Sequence, residues 1–155
     1  MRNTRLNRNL EQAIKTWVSD NGVTPDYAVT LTSPVEFRNR DEASEYVRRF
    51  RKRLNTRLLR KKHTLHGRSI PMLTTIECRK RKMHIHIAMQ CPQHVAPADL
   101  ARAVHECWKA SHKGARFAIA DVRPIYDGGW LGYISKETSI RDTDALDVPN
   151  ISWGT

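Results

Sequence analysis

Two histidines two residues apart, His84 and His86, stand in the stretch Lys82-Met-His-Ile-His-Ile-Ala-Met-Gln90. Read with period two, Met83, Ile85, Ile87 and Met89 take one face, and His84, His86, Ala88 and Gln90 the other. One face is core; the opposite face carries two imidazoles. Seven residues before His84 lies Glu77, inside a second apolar run, Met72 to Cys78, joined to the first by Arg79-Lys80-Arg81-Lys82. A hairpin closing there with a two- or four-residue loop sets Cys78 opposite Met83, Glu77 opposite His84 and Thr75 opposite His86. A carboxylate beside two imidazoles offers one oxygen and two nitrogens to a divalent cation, with coordination positions left open for a substrate. The plainer alternatives are two solvent-facing histidines and a Glu77 that pairs with the loop cations.

A tyrosine-bearing stretch comes later. Asp127-Gly-Gly precedes a short helical stretch, Trp130 to Glu137, in which Tyr133, Lys136 and Glu137 fall three and four apart and share a face. Upstream, Asp26 to Ser33 alternates: Tyr27, Val29 and Leu31 make an apolar face, while Thr30 and Thr32 lie on the other. Beside the histidine strand, those two hydroxyls would share the site face and reach phosphate.

The elements that must position these groups follow from periodicity. A helix over residues 9–20, capped by Asn9, carries Leu10, Ala13, Ile14, Trp17 and Val18 at helical spacing. A long helix from Asp41 to about Lys62 buries Ala43, Tyr46, Val47, Phe50, Leu54 and Leu58. A further helix from about Pro97 to His112 buries Leu100, Val104 and Trp108, and a last strand from Ala115 to Pro124 buries Phe117 and Ile119. The order predicts an α+β fold. Its core is βαββαβ, an antiparallel sheet of ferredoxin or RRM-like type with helices on one face, plus an added N-terminal helix and a C-terminal helix bearing Tyr133. Residues 1–137 read as one domain, with 1–25 a helical extension and 26–137 the core; the polar stretch 138–155 reads as a loosely ordered tail.

Charge names the partner class. The chain of 155 residues carries a formal net charge of +11, and residues 38–82 hold 16 of its 27 Lys and Arg but only 4 of its 16 acids. Such a block suits a polyanion, nucleic acid above all. Arg49, Arg53, Arg57, Arg60 and Lys61 on the long helix, with Arg79 and Arg81 in the hairpin loop, are the candidate phosphate contacts, salt-sensitive rather than base-specific. Three cysteines without framework spacing point to a reducing compartment, cytoplasmic or, in a eukaryote, nuclear. No run approaches the length of a membrane span.

The Glu77 strand, the hydrophobic-flanked His84-Ile-His86 strand and the Tyr133-Ile-Ser-Lys136 helix together resemble the HUH endonucleases, and among them the single-tyrosine Rep-type initiators of rolling-circle replication. Ala28-Val-Thr-Leu-Thr32 is similar to that family's first motif, so the resemblance spans roughly residues 26–137. It implies a metal-binding site of Glu77, His84 and His86 for Mg²⁺ or Mn²⁺, with Glu137 as an alternative ligand. It also implies Tyr133 as nucleophile and Lys136 as its helper. The implied activity is nicking and rejoining of single-stranded DNA through a 5′-phosphotyrosine link, in rolling-circle replication or transposition by a mobile element. An origin or terminal hairpin would be the target and a host helicase the partner. The rival expectation is a non-catalytic domain of the same architecture that binds single-stranded DNA or RNA.

Overall fold

The computed structural model describes residues 12–33, 35–79, 82–112, 118–126 and 146–154. Within them the elements are α1 (residues 12–20), β1 (Tyr27–Thr32), α2 (Arg40–Leu59), the single turn α3 (Lys61–Thr64), β2 (Met72–Arg79), β3 (Lys82–Met89), α4 (Pro97–Ser111), β4 (Ile119–Pro124) and a 3-10 turn, Val148–Asn150. The fold is α+β, with a four-stranded sheet in the order β2-β3-β1-β4 whose neighbours are all antiparallel.

Helix α2 starts where its cap dictates. Asn39 is extended, and its side chain accepts a hydrogen bond from the Glu42 amide at 2.9 Å. The Glu42 carboxylate reaches back to the Arg38 amide at 2.7 Å, so two otherwise orphaned donors are satisfied reciprocally. The helix stops at Leu59, short of the expected Lys62. Arg60 takes a positive φ of 49°, and the chain re-enters helix for one turn as α3. Helix α4 places Pro97 at its first position, where the missing N–H costs nothing.

Alternation decides which sheet face is buried by what. Val29, Leu31, Ile85, Ile87 and Met89 point to the layer formed by α2 and α4, where Val47, Phe50, Leu54, Leu100, Val104 and Trp108 close one apolar core. Each of these side chains, moved from water to a dry interior, contributes roughly 1.5–3 kcal/mol. The second face is not left wholly open, contrary to the expectation of helices on one side only. Ile14 and Val18 of α1 pack there against Leu73 and Ala88. Within α1, Trp17 is not buried but stands at the rim, its ring edge-on to Trp153 at 5.6 Å.

Two further expectations are corrected. The last strand begins at Ile119, and Ile119 is 62% exposed, because β4 is an edge strand whose outer face has no layer over it among the described residues; Ala118 is the buried residue instead, and Phe117 lies outside the described residues. The expected loose tail is, over residues 146–154, docked on β2. Met72 and Ser152 exchange both backbone hydrogen bonds, at 2.8 and 2.9 Å, and the Asp147 amide donates to the Thr74 carbonyl at 2.9 Å. The physical reason is that β2 would otherwise present a row of unpaired backbone groups. Ile151 and Trp153 meanwhile supply apolar side chains to the α1 cluster.

Candidate functional site

The hairpin of β2 and β3 sets the site. Arg79 pairs with Lys82 across a two-residue connection, and from there parity fixes Cys78 opposite Met83, Glu77 opposite His84, and Thr75 opposite His86. On the other flank of β3, β1 sets Thr30 opposite His86 and Thr32 opposite His84. Both imidazoles therefore lie between a Glu77/Thr75 column and a Thr30/Thr32 column, all on the face away from α2 and α4.

Glu77 does not stay with its direct cross-strand partner. Its Oε2 lies 3.1 Å from Nε2 of His86, the diagonal neighbour, a reach long side chains make readily between paired strands. The two side chains are only 12% and 13% exposed, which sets this contact apart from a solvent-screened surface pair. Beside it, Thr75 is fully buried, and its hydroxyl Oγ1 has no hydrogen-bond partner among the described residues. An unsatisfied buried polar atom next to two ligand-type side chains is a feature that structural packing alone does not favour.

Among the described residues, no three His, Cys, Asp or Glu side chains already stand at the spacing of a metal site. The donor set nevertheless fits a divalent cation. Two adjacent ligands at right angles on an octahedral ion, each about 2.1 Å from it, lie about 3 Å apart, and the Glu77 oxygen and His86 nitrogen are 3.1 Å apart. His84 shares their face through its pairing with Glu77.

The strands are held in place from behind. The Trp108 indole N–H of α4 donates to the Thr32 carbonyl at 3.0 Å, tying the helix layer to the end of β1 that flanks His84. The Thr32 hydroxyl donates to the Ile119 carbonyl of β4 at 3.4 Å, so at least one of the two threonines expected at phosphate is engaged within the sheet.

The structure brings together Glu77, His84, His86, Thr30 and Thr32. It does not bring Arg49, Arg53 and Arg57 to them: these lie on α2 in the helix layer, with the sheet in between. Arg57 is bonded there to Glu106 of α4, and Arg49 lies 3.5 Å from Glu45. Arg60 forms the break after α2, and Lys61 opens α3. Tyr133, Lys136, Glu137 and Arg81 lie outside the described residues, and Arg79 is described as the backbone end of β2. Alternation sets Thr75 opposite His86 but does not single it out, because its isolation depends on burial, which a period-two pattern does not reveal.

Compared against protein-family models, curated proteins and solved structures, the chain finds no match in any of the three. Among the described residues, no helix is long and apolar enough to cross a membrane.

Proposed function

We propose that this chain is a Rep-type HUH nuclease that nicks single-stranded DNA and reseals it through a tyrosine-linked intermediate. The observation that carries the reading is the Glu77–His86 contact at 3.1 Å on a face shared with His84. An acid-and-imidazole cluster of this kind can hold the divalent cation of a phosphoryl-transfer site. The strand order β2-β3-β1-β4 with crossovers through α2 and α4 supports the finer reading of the fold as ferredoxin-like.

Glu77, His84 and His86 would hold Mg²⁺ or Mn²⁺, which when bound supplies positive charge to the scissile phosphate. Thr30, paired with His86, would border the path of the strand. The Tyr133 oxygen attacks phosphorus and loses its proton, the 3′ oxygen leaves and gains one, and the strand is held as a 5′-phosphotyrosine. A free tyrosine has a pKa near 10, so Lys136 is assigned to lower it by its charge. One phosphodiester is exchanged for another, so reversal reseals the strand without ATP. A hairpin at an origin or element end is the expected target, with unwinding supplied by a separate helicase.

Incubation with 5′-labelled and 3′-labelled single-stranded DNA in Mn²⁺ tests the reading. A covalent adduct retaining the 3′-side label, abolished by chelator and by Tyr133→Phe, is the expected result. Retention of DNA without an adduct would identify a binding domain, and cleavage that survives Tyr133→Phe would identify hydrolysis by an activated water.

A further inference from the structure

Between α2 and α4, across the sheet from the imidazoles, runs a groove in two parts that meet at Arg57. The first has a volume of about 740 Å³ and is walled by Arg48, Arg49, Lys52, Arg53 and Arg57 over a floor that includes Cys107 and Ala110. The second, of about 570 Å³, adds Arg60, Lys62 and Arg102. Two acids line it, Glu106 and Asp99, and both are already matched, to Arg57 and to Arg102. Glu45 at the rim pairs with Arg48 at 2.7 Å and lies 3.5 Å from Arg49, one negative charge against two positive. Lys52 and Arg53 have no ion-pair partner among the described residues.

We propose that this groove grips the sugar-phosphate backbone of double-stranded DNA, leaving the histidine face to the single strand. Three features of the groove select that occupant. Six of its eight cationic side chains are arginines, whose planar fork matches phosphate oxygens two at a time. Arg49, Arg53 and Arg57 recur one helical turn apart, about 6 Å, so the charges form a row along the groove. Among the described residues no Phe, Tyr or Trp lines either part, and the one imidazole there, His94, is bonded to the Leu58 carbonyl, whereas sites for single strands stack bases on aromatic rings. A row of phosphate contacts without a stacking surface reads a duplex by its charge and not by its sequence. The choice of DNA over RNA rests on the function proposed above; the groove itself does not depend on Tyr133 or on a metal.

The test is binding of a short fluorescent DNA duplex, and separately of oligothymidylate, to the whole protein in chelator over a series of salt concentrations. The variant is Lys52→Ala with Arg53→Ala, two exposed side chains whose removal leaves the buried stripe of α2 intact; its thermal melt is recorded alongside. Duplex affinity should fall about tenfold, and the slope of log affinity against log salt should flatten by about 1.8, two contacts at ~0.9 each, with oligothymidylate binding unchanged. Unchanged duplex affinity and slope would overturn the proposal. So would an equal loss for both DNAs, tighter binding of an RNA duplex than of the DNA duplex, or tighter binding of polyglutamate that the same variant abolishes. The adduct assay reads the nuclease separately, so either idea can fail alone.

Discussion

Glu77 stands in register with His84, yet its carboxylate oxygen meets Nε2 of His86, 3.1 Å away on the diagonal. The acid thus bridges the two imidazole positions, one by backbone pairing and the other by side-chain contact. A cation entering here needs Nε2 of His86 as a bare lone pair, so loading releases any proton held between the two groups. Mn²⁺ affinity, followed by calorimetry, should therefore weaken as pH falls. Glu77→Ala should lower it by about 10- to 100-fold, the range typical of groups that hold or orient a metal ligand. Equal affinity in the variant would remove Glu77 from the site.

Thr75 gives an opposite sign. Its hydroxyl is buried without a partner among the described residues, and valine keeps the branched shape that suits a strand. Thr75→Val should raise stability by about 1 kcal/mol, the usual gain from relieving an unsatisfied buried hydroxyl, read as a higher urea midpoint. If the hydroxyl is kept for DNA cleavage, the same variant will be more stable and slower. A drop in the midpoint would mean that the hydroxyl has a stabilising partner.

Glu45 offers a pH reading. Hydrogen bonding to Arg48, helped by the charges of Arg48 and Arg49, holds its carboxyl at about 2, against an ordinary 4.5. Because the folded value is the lower one, the contribution is complete above the ordinary value and is lost as pH falls from there toward about 2. The side chain is exposed, so the effect on the global melt should be small; the titration itself is the measurement. Carboxyl NMR should give a midpoint near 2 for Glu45, and Arg48→Ala should move it up toward the ordinary value.

Asn150 is the fastener of the docked segment. Its side-chain amide nitrogen donates to the Ser44 carbonyl at 2.9 Å and to Asp147 Oδ2 at 2.6 Å, while its backbone carbonyl accepts from the Thr74 hydroxyl at 3.1 Å. Asn150→Ala should destabilise by about 1–3 kcal/mol, since Asp147 and the Ser44 carbonyl lose a buried donor. Hydrogen exchange at the Met72 amide, bonded to the Ser152 carbonyl, should speed up while exchange at Ile87 on the central strand does not.

What the chain discloses on reading, and what it conceals, follows from the range of the interactions. Alternation in Met83 to Gln90 fixes the face of His84 and His86, and a short hairpin leaves parity no freedom, so Glu77 and Thr75 fall where expected. The diagonal reach of Glu77 to His86 is a rotamer choice, and a period-two pattern carries none. Ile119 looked buried by the same rule and is not, because alternation cannot tell an edge strand from a central one. The break at Arg60 has neither glycine nor proline to announce it. Trp108 was legible as a core residue, but not as the donor to Thr32. The docking of residues 146–154 is hidden most completely, since it is made by isolated backbone bridges and side-chain bonds to partners far away in the chain.

That distance has a kinetic side. Asp147 bonds to the Ser44 hydroxyl across 103 positions, and Asn150 to Thr74 across 76, so covering the rim of β2 requires a wide loop to close late, after the hairpin and helices have formed. Until then β2 is a vacant template, and a strand from a neighbouring molecule can take the place meant for residues 146–152. Refolding yield should accordingly fall with protein concentration, and a synthetic peptide spanning those residues should restore it by occupying the gap first.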